Sequence, residues 1–159
     1  MSEIVTIEPP QDRAVTLEEA RQQLRLDGRD EDLLLGAKLD AAQAELEQQT
    51  GLKLCDQTLA LQLEDWLDEI TVPIRPCSVA EIRYTAPDGA TVTLPETDYV
   101  VRRRHGFTRI RPASGKSWPE LGADGLIRIT LSAGLDENDP EKDVVCMVGV
   151  RREESQARR

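Results

Sequence analysis

The side chains that could carry chemistry in this sequence are few and far apart. The single histidine, His105, lies beside Gly106 between two Arg-rich segments, so any Ser-His-Asp or Cys-His arrangement would depend on that position. The three cysteines, Cys55, Cys77 and Cys146, are widely separated and lack the spacing of a zinc site. We therefore expect the cysteines to act as small buried apolar groups, in a protein made in a reducing compartment.

Acidic side chains are numerous, and two close pairs, Asp30 with Asp32 and Asp136 with Asp139, could in principle do acid-base or metal chemistry. Both pairs lie where turns or helices are expected to begin, and carboxylates are favoured there by the helix dipole. The sequence has no glycine-rich phosphate loop and no nucleophile elbow. We predict no catalytic residue, no cofactor and no metal site, and a hydrolase using scattered carboxylates is only a third hypothesis.

Charge is distributed unevenly along the chain. The 30 acidic and 20 basic residues give a formal net charge of -10, so general attraction to DNA or to a membrane is not expected. The segment 102–116 nevertheless contains no acidic residue and six basic ones: Arg102, Arg103, Arg104, Arg109, Arg111 and Lys116. Such arginines could bind phosphate or an acidic partner. Alternatively, they pair with Asp65, Asp68 and Glu69 on a neighbouring strand, as ordinary surface ion pairs.

The elements that must position these groups begin with a short helix. Residues 1–14 contain two consecutive prolines and little apolar material, so we expect a loose lead-in. Thr16 and Glu19 form a capping box, in which each side chain satisfies a backbone amide of the first turn. This pattern predicts a helix that starts at Leu17 and is terminated by Gly28.

A longer second helix is predicted from Asp30 to Thr50, with Gly51 as its terminator, so that residues 15–52 form a two-helix scaffold. No aromatic residue precedes Trp66, so this scaffold must be packed by leucine and alanine, which suits close contact with another helix or another subunit. The apolar positions recur at three or four residues. The candidate contacts between subunits are Leu35, Leu39, Ala42 and Leu46.

Strand patterns dominate residues 53–135, which we predict to form an antiparallel β insertion. The proline in the 70–74 segment places that segment at a sheet edge or a crossover, because proline cannot donate to a ladder. The predicted segments are a half-buried strand at 59–63, the proline-interrupted segment at 70–74, hairpins at 80–94 and 99–111, and a final strand at 126–131.

Residues 136–159 are expected to form a C-terminal helix followed by a basic tail. Asp139 and Pro140 suit the cap and the first position of a helix. Residues 144–150 are apolar and rich in valine, so a strand remains an alternative. The predicted fold is therefore a single α+β domain: an N-terminal helical hairpin scaffold with an antiparallel β insertion and a C-terminal helix.

The order of these features resembles phage head-tail connector proteins, the neck adaptors of tailed phages and of phage-derived gene transfer agents. The likeness rests on the run Val-Thr-Leu-Glu-Glu-Ala at 15–20, the acidic turn at 27–32, the long Ala-rich helix and its Thr50-Gly51 end. It covers residues 15–54 well. It continues more loosely at Trp66, Pro76, Val79, Tyr84, Tyr99 and Gly134.

This resemblance implies a non-enzymatic virion protein that is made in the host cytoplasm and assembles into the neck at the portal vertex. It implies a ring of twelve copies seated on the portal protein, which presents a platform to the stopper and tail-completion proteins. DNA would pass through the ring only as transiting cargo, and an acidic channel would keep phosphate from adhering. Family members end in an amphipathic helix with aromatic residues, which residues 144–150 lack.

The Arg-rich hairpin supports a different hypothesis. In that alternative the chain is a small binding module that holds nucleic acid or an acidic partner through Arg102, Arg103, Arg104, Arg109 and Arg111. The two hypotheses place the functional surface on different elements. An adaptor depends on the helical scaffold, whereas a binding module depends on the second hairpin.

Overall fold

A computed structural model describes residues 2–135. These residues form two helices and eight strands. In chain order the elements are β1 (Ser2–Glu8), α1 (Leu17–Leu24), α2 (Asp32–Thr50), β2 (Gln57–Leu63), β3 (Ile70–Thr71), β4 (Cys77–Thr85), β5 (Thr91–Thr93), β6 (Tyr99–Arg104), β7 (Phe107–Pro112) and β8 (Ile127–Ala133). The predicted C-terminal helix, with Asp136, Asp139 and Cys146, lies outside the described residues.

The strands form two antiparallel sheets. The larger sheet has the order β1-β2-β8-β4-β5, and the smaller has the order β3-β7-β6. One hydrophobic core is built from both sheets. Its fully buried members are mostly β-branched or leucine residues at alternate strand positions: Leu59, Leu61, Ile82, Ile127, Ile129 and Leu131 from the larger sheet, and Ile70, Val72 and Ile110 from the smaller sheet and its flank.

The predicted α+β class, with a helical scaffold as the body and a β insertion, is wrong. The described chain is mostly β, and the helices are its smaller part. The physical reason lies in α2, whose apolar residues are spread around the helix and bury only Leu35 and Gly36. The strands instead bury alternate side chains against a second sheet, so they supply most of the core.

The N-terminal segment is not a loose lead-in, and that prediction was also wrong. Ser2–Glu8 is β1, which pairs with β2 so that Ile4 lies opposite Leu61 and Thr6 opposite Leu59. The four consecutive β-branched residues Ile-Val-Thr-Ile at 4–7 favour a strand. The prolines follow the strand at positions 9 and 10 and end it, because proline cannot extend a ladder.

The predicted hairpins and strands of the β region are confirmed. β4 and β5 pair across the turn at 86–90, and β6 pairs with β7 across His105 and Gly106. Both residues of the second turn have positive φ, 53° and 80°, as a two-residue turn that matches the strand twist requires. β3 lies at an edge of the smaller sheet, as its neighbouring Pro73 predicted.

The observed ends of the two helices agree only in part with the ends predicted from the sequence. The capping box is present: the Glu19 amide donates to Thr16 Oγ1 over 3.2 Å, and the Thr16 amide donates to Glu19 Oε2 over 2.9 Å. However, α1 ends at Leu24, because Arg25 rather than Gly28 takes the left-handed conformation that terminates the helix. Neither described helix is long and apolar enough to cross a membrane.

Candidate assembly surfaces

The helices are joined to the β region at the end of α2. Gly51 has a φ of 69° and ends the helix, which suits glycine because a side chain is strained in this conformation. Its carbonyl accepts the Arg75 amide over 3.0 Å, and the Arg75 carbonyl accepts the Lys53 amide over 2.9 Å. Beside this junction Leu46 packs against a small second core, which consists of Leu54, Cys55 and Leu135.

Ion pairs position the helices relative to each other and to the preceding chain. Arg21 of α1 donates from Nε and Nη2 to the two carboxylate oxygens of Asp32, each over 2.7 Å. Arg13 makes the same two-pronged contact with Asp40 of α2. The hydrogen bond from Arg13 lowers the pKa of Asp40 below its ordinary value. These contacts hold α1 on α2 with little buried apolar surface, since Ala20 is the only residue of α1 that is buried.

The exposed apolar side chains of the helices form the first candidate surface, which we call the helical surface. Leu33 is 93% exposed and Leu34 is 57% exposed. Leu24 and Leu26, at the end of α1, are also exposed, as are four alanines of α2: Ala37, Ala41, Ala42 and Ala44. A single exposed leucine is ordinary, but several exposed leucines in two successive helices are a candidate contact with another protein.

The four predicted interface residues share one face of α2 by their spacing, but they differ in burial. Leu35 is 7% exposed and Leu46 packs on the second core, so both lie inside the subunit. Leu39 is half-buried and Ala42 is exposed. Their role between subunits stays a prediction. Leu33 lies outside the predicted stripe, although the three consecutive leucines at 33–35, directly after an acidic turn, are a visible signal in the sequence.

The second hairpin carries the second candidate surface, which we call the arginine face. Residues that lie opposite each other in an antiparallel pair project from the same side of the sheet. The pairs Arg102 with Arg109, Val100 with Arg111, and Arg104 with Phe107 therefore share one face. Arg103 projects from the other face, where its Nη2 donates to the Cys77 carbonyl over 3.1 Å.

Only part of the arginine face is neutralised within the described residues. Arg109 Nη1 lies 2.7 Å from Glu69 Oε1, which is one of the strand contacts that the sequence suggested. Arg75 lies over the ring of Phe107, 5.1 Å from its centroid, in a cation–π contact. Among residues 2–135, no ion pair involves Arg102, Arg104 or Arg111. The face therefore keeps three exposed guanidinium groups.

The other candidate groups lie apart from one another. His105 is exposed in the β6–β7 turn, and Cys55 and Cys77 are buried. Burial raises the pKa of the Cys77 thiol, so it stays protonated at neutral pH. Asp30 and Asp32 line a cleft of about 220 Å³ between α1 and α2. Within residues 2–135, no group of three or more His, Cys, Asp or Glu residues could hold a metal ion.

One protein family matches part of this chain. Residues 14–80 match the family model of the phage gp6-like head-tail connector protein. These residues run from just before α1 into β4 and include both helices and the junction at Gly51. No curated protein sequence matches the chain.

Solved structures match over most of the chain. A chain in the neck of an empty gene transfer agent (GTA) particle, computed with C6 symmetry, has a TM-score of 0.72 at 24% identity, covering 84% of this chain and 71% of that one. A chain in the virion of a native GTA particle has a TM-score of 0.71 at 25% identity, covering 83% and 71%. A chain in the neck of a native GTA particle, computed with C12 symmetry, has a TM-score of 0.61 at 26% identity, covering 85% and 70%. The resemblance to phage head-tail connector proteins, predicted from residues 15–54, is thereby confirmed.

Proposed function

We propose that this chain is a structural neck adaptor, which assembles with other virion proteins into a ring at the neck of a phage-like or gene-transfer-agent particle. The observation that carries this proposal is the structural match to a neck chain, which covers 84% of this chain, combined with the head-tail connector match at residues 14–80. The function is geometric and non-enzymatic. Each subunit supplies a rigid β body and a helical surface for contacts with neighbours.

The helical surface supports assembly on physical grounds. Leu33 and Leu34 lie in water in the single chain, and burial of a leucine side chain contributes about 1.5–3 kcal/mol. Exposed alanines along α2 allow another helix to approach closely. A ring requires two different complementary surfaces on each copy, so that every subunit is buried on two sides. We place one of these contacts on the helical surface.

The finer arrangement follows from the same proposal. The ring contains twelve copies, seats on the portal protein and presents the opposite side to the stopper and tail-completion proteins. DNA passes through its centre as cargo. A chain with a net charge of -10 suits a channel for DNA, because like charge keeps phosphate from binding to the wall.

The double variant Leu33→Asp, Leu34→Asp tests the role of the helical surface. We expect a folded chain by circular dichroism, together with loss of the chain from particle necks and accumulation of tailless heads in electron micrographs. The control is Val92→Asp, which introduces one such charge at an exposed apolar residue of β5, away from the helices. Normal necks and tails with the double variant would contradict the proposal.

One observation favours a second candidate function, in which the arginine face holds nucleic acid. Arg102, Arg104 and Arg111 are exposed and have no ion pair among residues 2–135. Titration with duplex DNA at rising salt tests this alternative, because phosphate contacts release counterions and weaken steeply with salt. Steep salt dependence that disappears when these three residues are replaced by glutamine would favour a DNA-binding module over the adaptor. Absence of binding at low salt would exclude it.

A further inference from the structure

Each sheet ends in a strand whose outer edge has no partner among residues 2–135. β1 is one edge strand of the larger sheet, whose other edge is β5, and β6 is one edge strand of the smaller sheet, whose other edge is β3. Their lengths are similar, seven residues for β1 and six for β6. An unpaired edge presents a row of backbone amides and carbonyls that can pair with another chain.

All seven residues of β1 are exposed. Ile4 is 42% exposed and Ile7 is 48% exposed, although both are strong strand formers. Its charged residues are acidic: Glu3 near the start, and Glu8 after an irregularity in the pairing with β2. Glu8 already accepts a hydrogen bond from Thr58 over 3.0 Å, which leaves Glu3 as the available carboxylate.

β6 has the opposite charge. Its last three residues, Arg102, Arg103 and Arg104, are exposed, and Val101 is 41% exposed. Like charges oppose pairing of β1 with β1 and of β6 with β6, because each would place carboxylate near carboxylate or guanidinium near guanidinium. Pairing of β1 with β6 instead brings opposite charges together. The two edges are therefore protected against self-pairing and complementary to each other.

From this complementarity we propose that β1 of one copy pairs edge to edge with β6 of the next copy, antiparallel, and so provides a main-chain contact between neighbours. This inference rests on the proposed ring and names a contact within it. A contact between two different surfaces continues head to tail from copy to copy, as ring formation requires. Its strength comes mainly from backbone hydrogen bonds along the two edges.

One register of this pairing both places opposite charges side by side and keeps the core sides of the two sheets on the same side. With Glu3 opposite Arg102, Ile4 lies opposite Val101 and Val5 lies opposite Val100. Ile4 shares the core side of its sheet with Leu61, its partner on β2. Val101 likewise lies on the core side of β6, opposite the buried Ile110. The register thus keeps the core sides of the two sheets together, and a slip by one residue would reverse them.

Charge reversal with rescue tests this pairing in the full-length chain. Glu3→Arg and Arg102→Glu should each weaken self-association roughly tenfold, as measured by sedimentation and native mass spectrometry. The chain that carries both reversals should recover to within about threefold of the wild type, because the opposite charges are restored. The control Arg111→Glu makes the same charge change on β7, an inner strand, and should have the smaller effect.

Hydrogen exchange provides a second readout on the backbone itself. In the assembled particle, amides of residues 2–8 and 99–104 should gain protection over the dilute monomer, since edge pairing uses backbone groups. Contact through the arginine face alone would leave these amides unchanged. Protection that is already complete in the monomer would mean that the chain covers its own edges, and it would overturn the pairing between copies.

The outcomes separate this inference from the proposed function. If the double reversal associates no better than the single reversals, or the edge amides stay unprotected in particles, the β1–β6 contact is wrong while the adaptor role stands. If the wild-type chain is absent from particle necks, the proposed function fails and the contact fails with it. Rescue of association together with protection of both edges would establish the contact.

Discussion

The two helices and the two sheets of this chain differ in how much of their apolar surface is buried within the described residues. In the sheets, residues such as Ile82, Ile110 and Ile129 are completely buried, and one core contains side chains from both sheets. In the helices, only Ala20, Leu35 and Gly36 are buried, while Leu33 is almost fully exposed. The β region therefore supplies its own stability, and the helices are held by ion pairs and one junction. This contrast is what we expect of an adaptor whose body is rigid and whose helices are completed by neighbours.

The largest expected effect comes from comparing one core residue with one exposed residue. Ile129→Ala should lower the free energy of unfolding by about 3–4 kcal/mol, because it opens a cavity in a fully packed core. Leu33→Ala should change the same quantity by less than about 0.5 kcal/mol in the isolated chain. Urea unfolding of both variants measures the difference. Equal losses would mean that the helical surface is already covered within the chain.

A smaller effect is expected at the contact between α2 and the β region. Leu46→Asp should cost about 2–3 kcal/mol, because it places a charge against the second core beside Leu54 and Cys55. Ala42→Asp is the matched control, since Ala42 is exposed on the same helix. Urea unfolding should separate the two variants clearly. Similar stability of both would show that α2 does not depend on this junction.

The start of α1 provides the next test. Thr16→Ala removes the hydroxyl that accepts the Glu19 amide and should cost about 1 kcal/mol. Thr16→Ser keeps an equivalent hydroxyl and should lose much less. Helix content by circular dichroism and the unfolding midpoint measure both variants. If alanine and serine behaved alike, the capping box would contribute nothing to the attachment of α1.

The smallest effect is a dependence on pH at the Arg13–Asp40 pair. Arg13 lowers the pKa of Asp40 in the folded chain, so the pair stabilises the fold above the ordinary Asp pKa of 3.8. This stabilisation is lost as the pH falls through the lower, folded value. Asp40→Asn should therefore be less stable than the wild type at neutral pH, and the gap should close at strongly acidic pH. Unfolding measured at both pH values would refute the pair if the gap did not change.

Local patterns in the sequence determined the elements whose causes are also local. The Thr16–Glu19 capping box, the glycine end of α2 at Gly51 and the His105–Gly106 turn each depend on a few neighbouring residues, so they could be predicted in place. The order of a short helix, an acidic turn and a long Ala-rich helix was also sufficient to indicate the head-tail connector resemblance.

Tertiary structure alone decided which apolar surfaces are buried and which charges are paired. Leu33 and Leu35 are alike in type and only two positions apart, yet only Leu35 lies inside the subunit. Arg102 and Arg109 are opposite each other, yet within the described residues only Arg109 meets a carboxylate, that of Glu69. Burial and ion pairing depend on residues far away in the chain, and a helix or strand pattern does not state what will lie against it. For the same reason, local patterns did not predict that the fold is mostly β or that β1 forms an edge of the larger sheet.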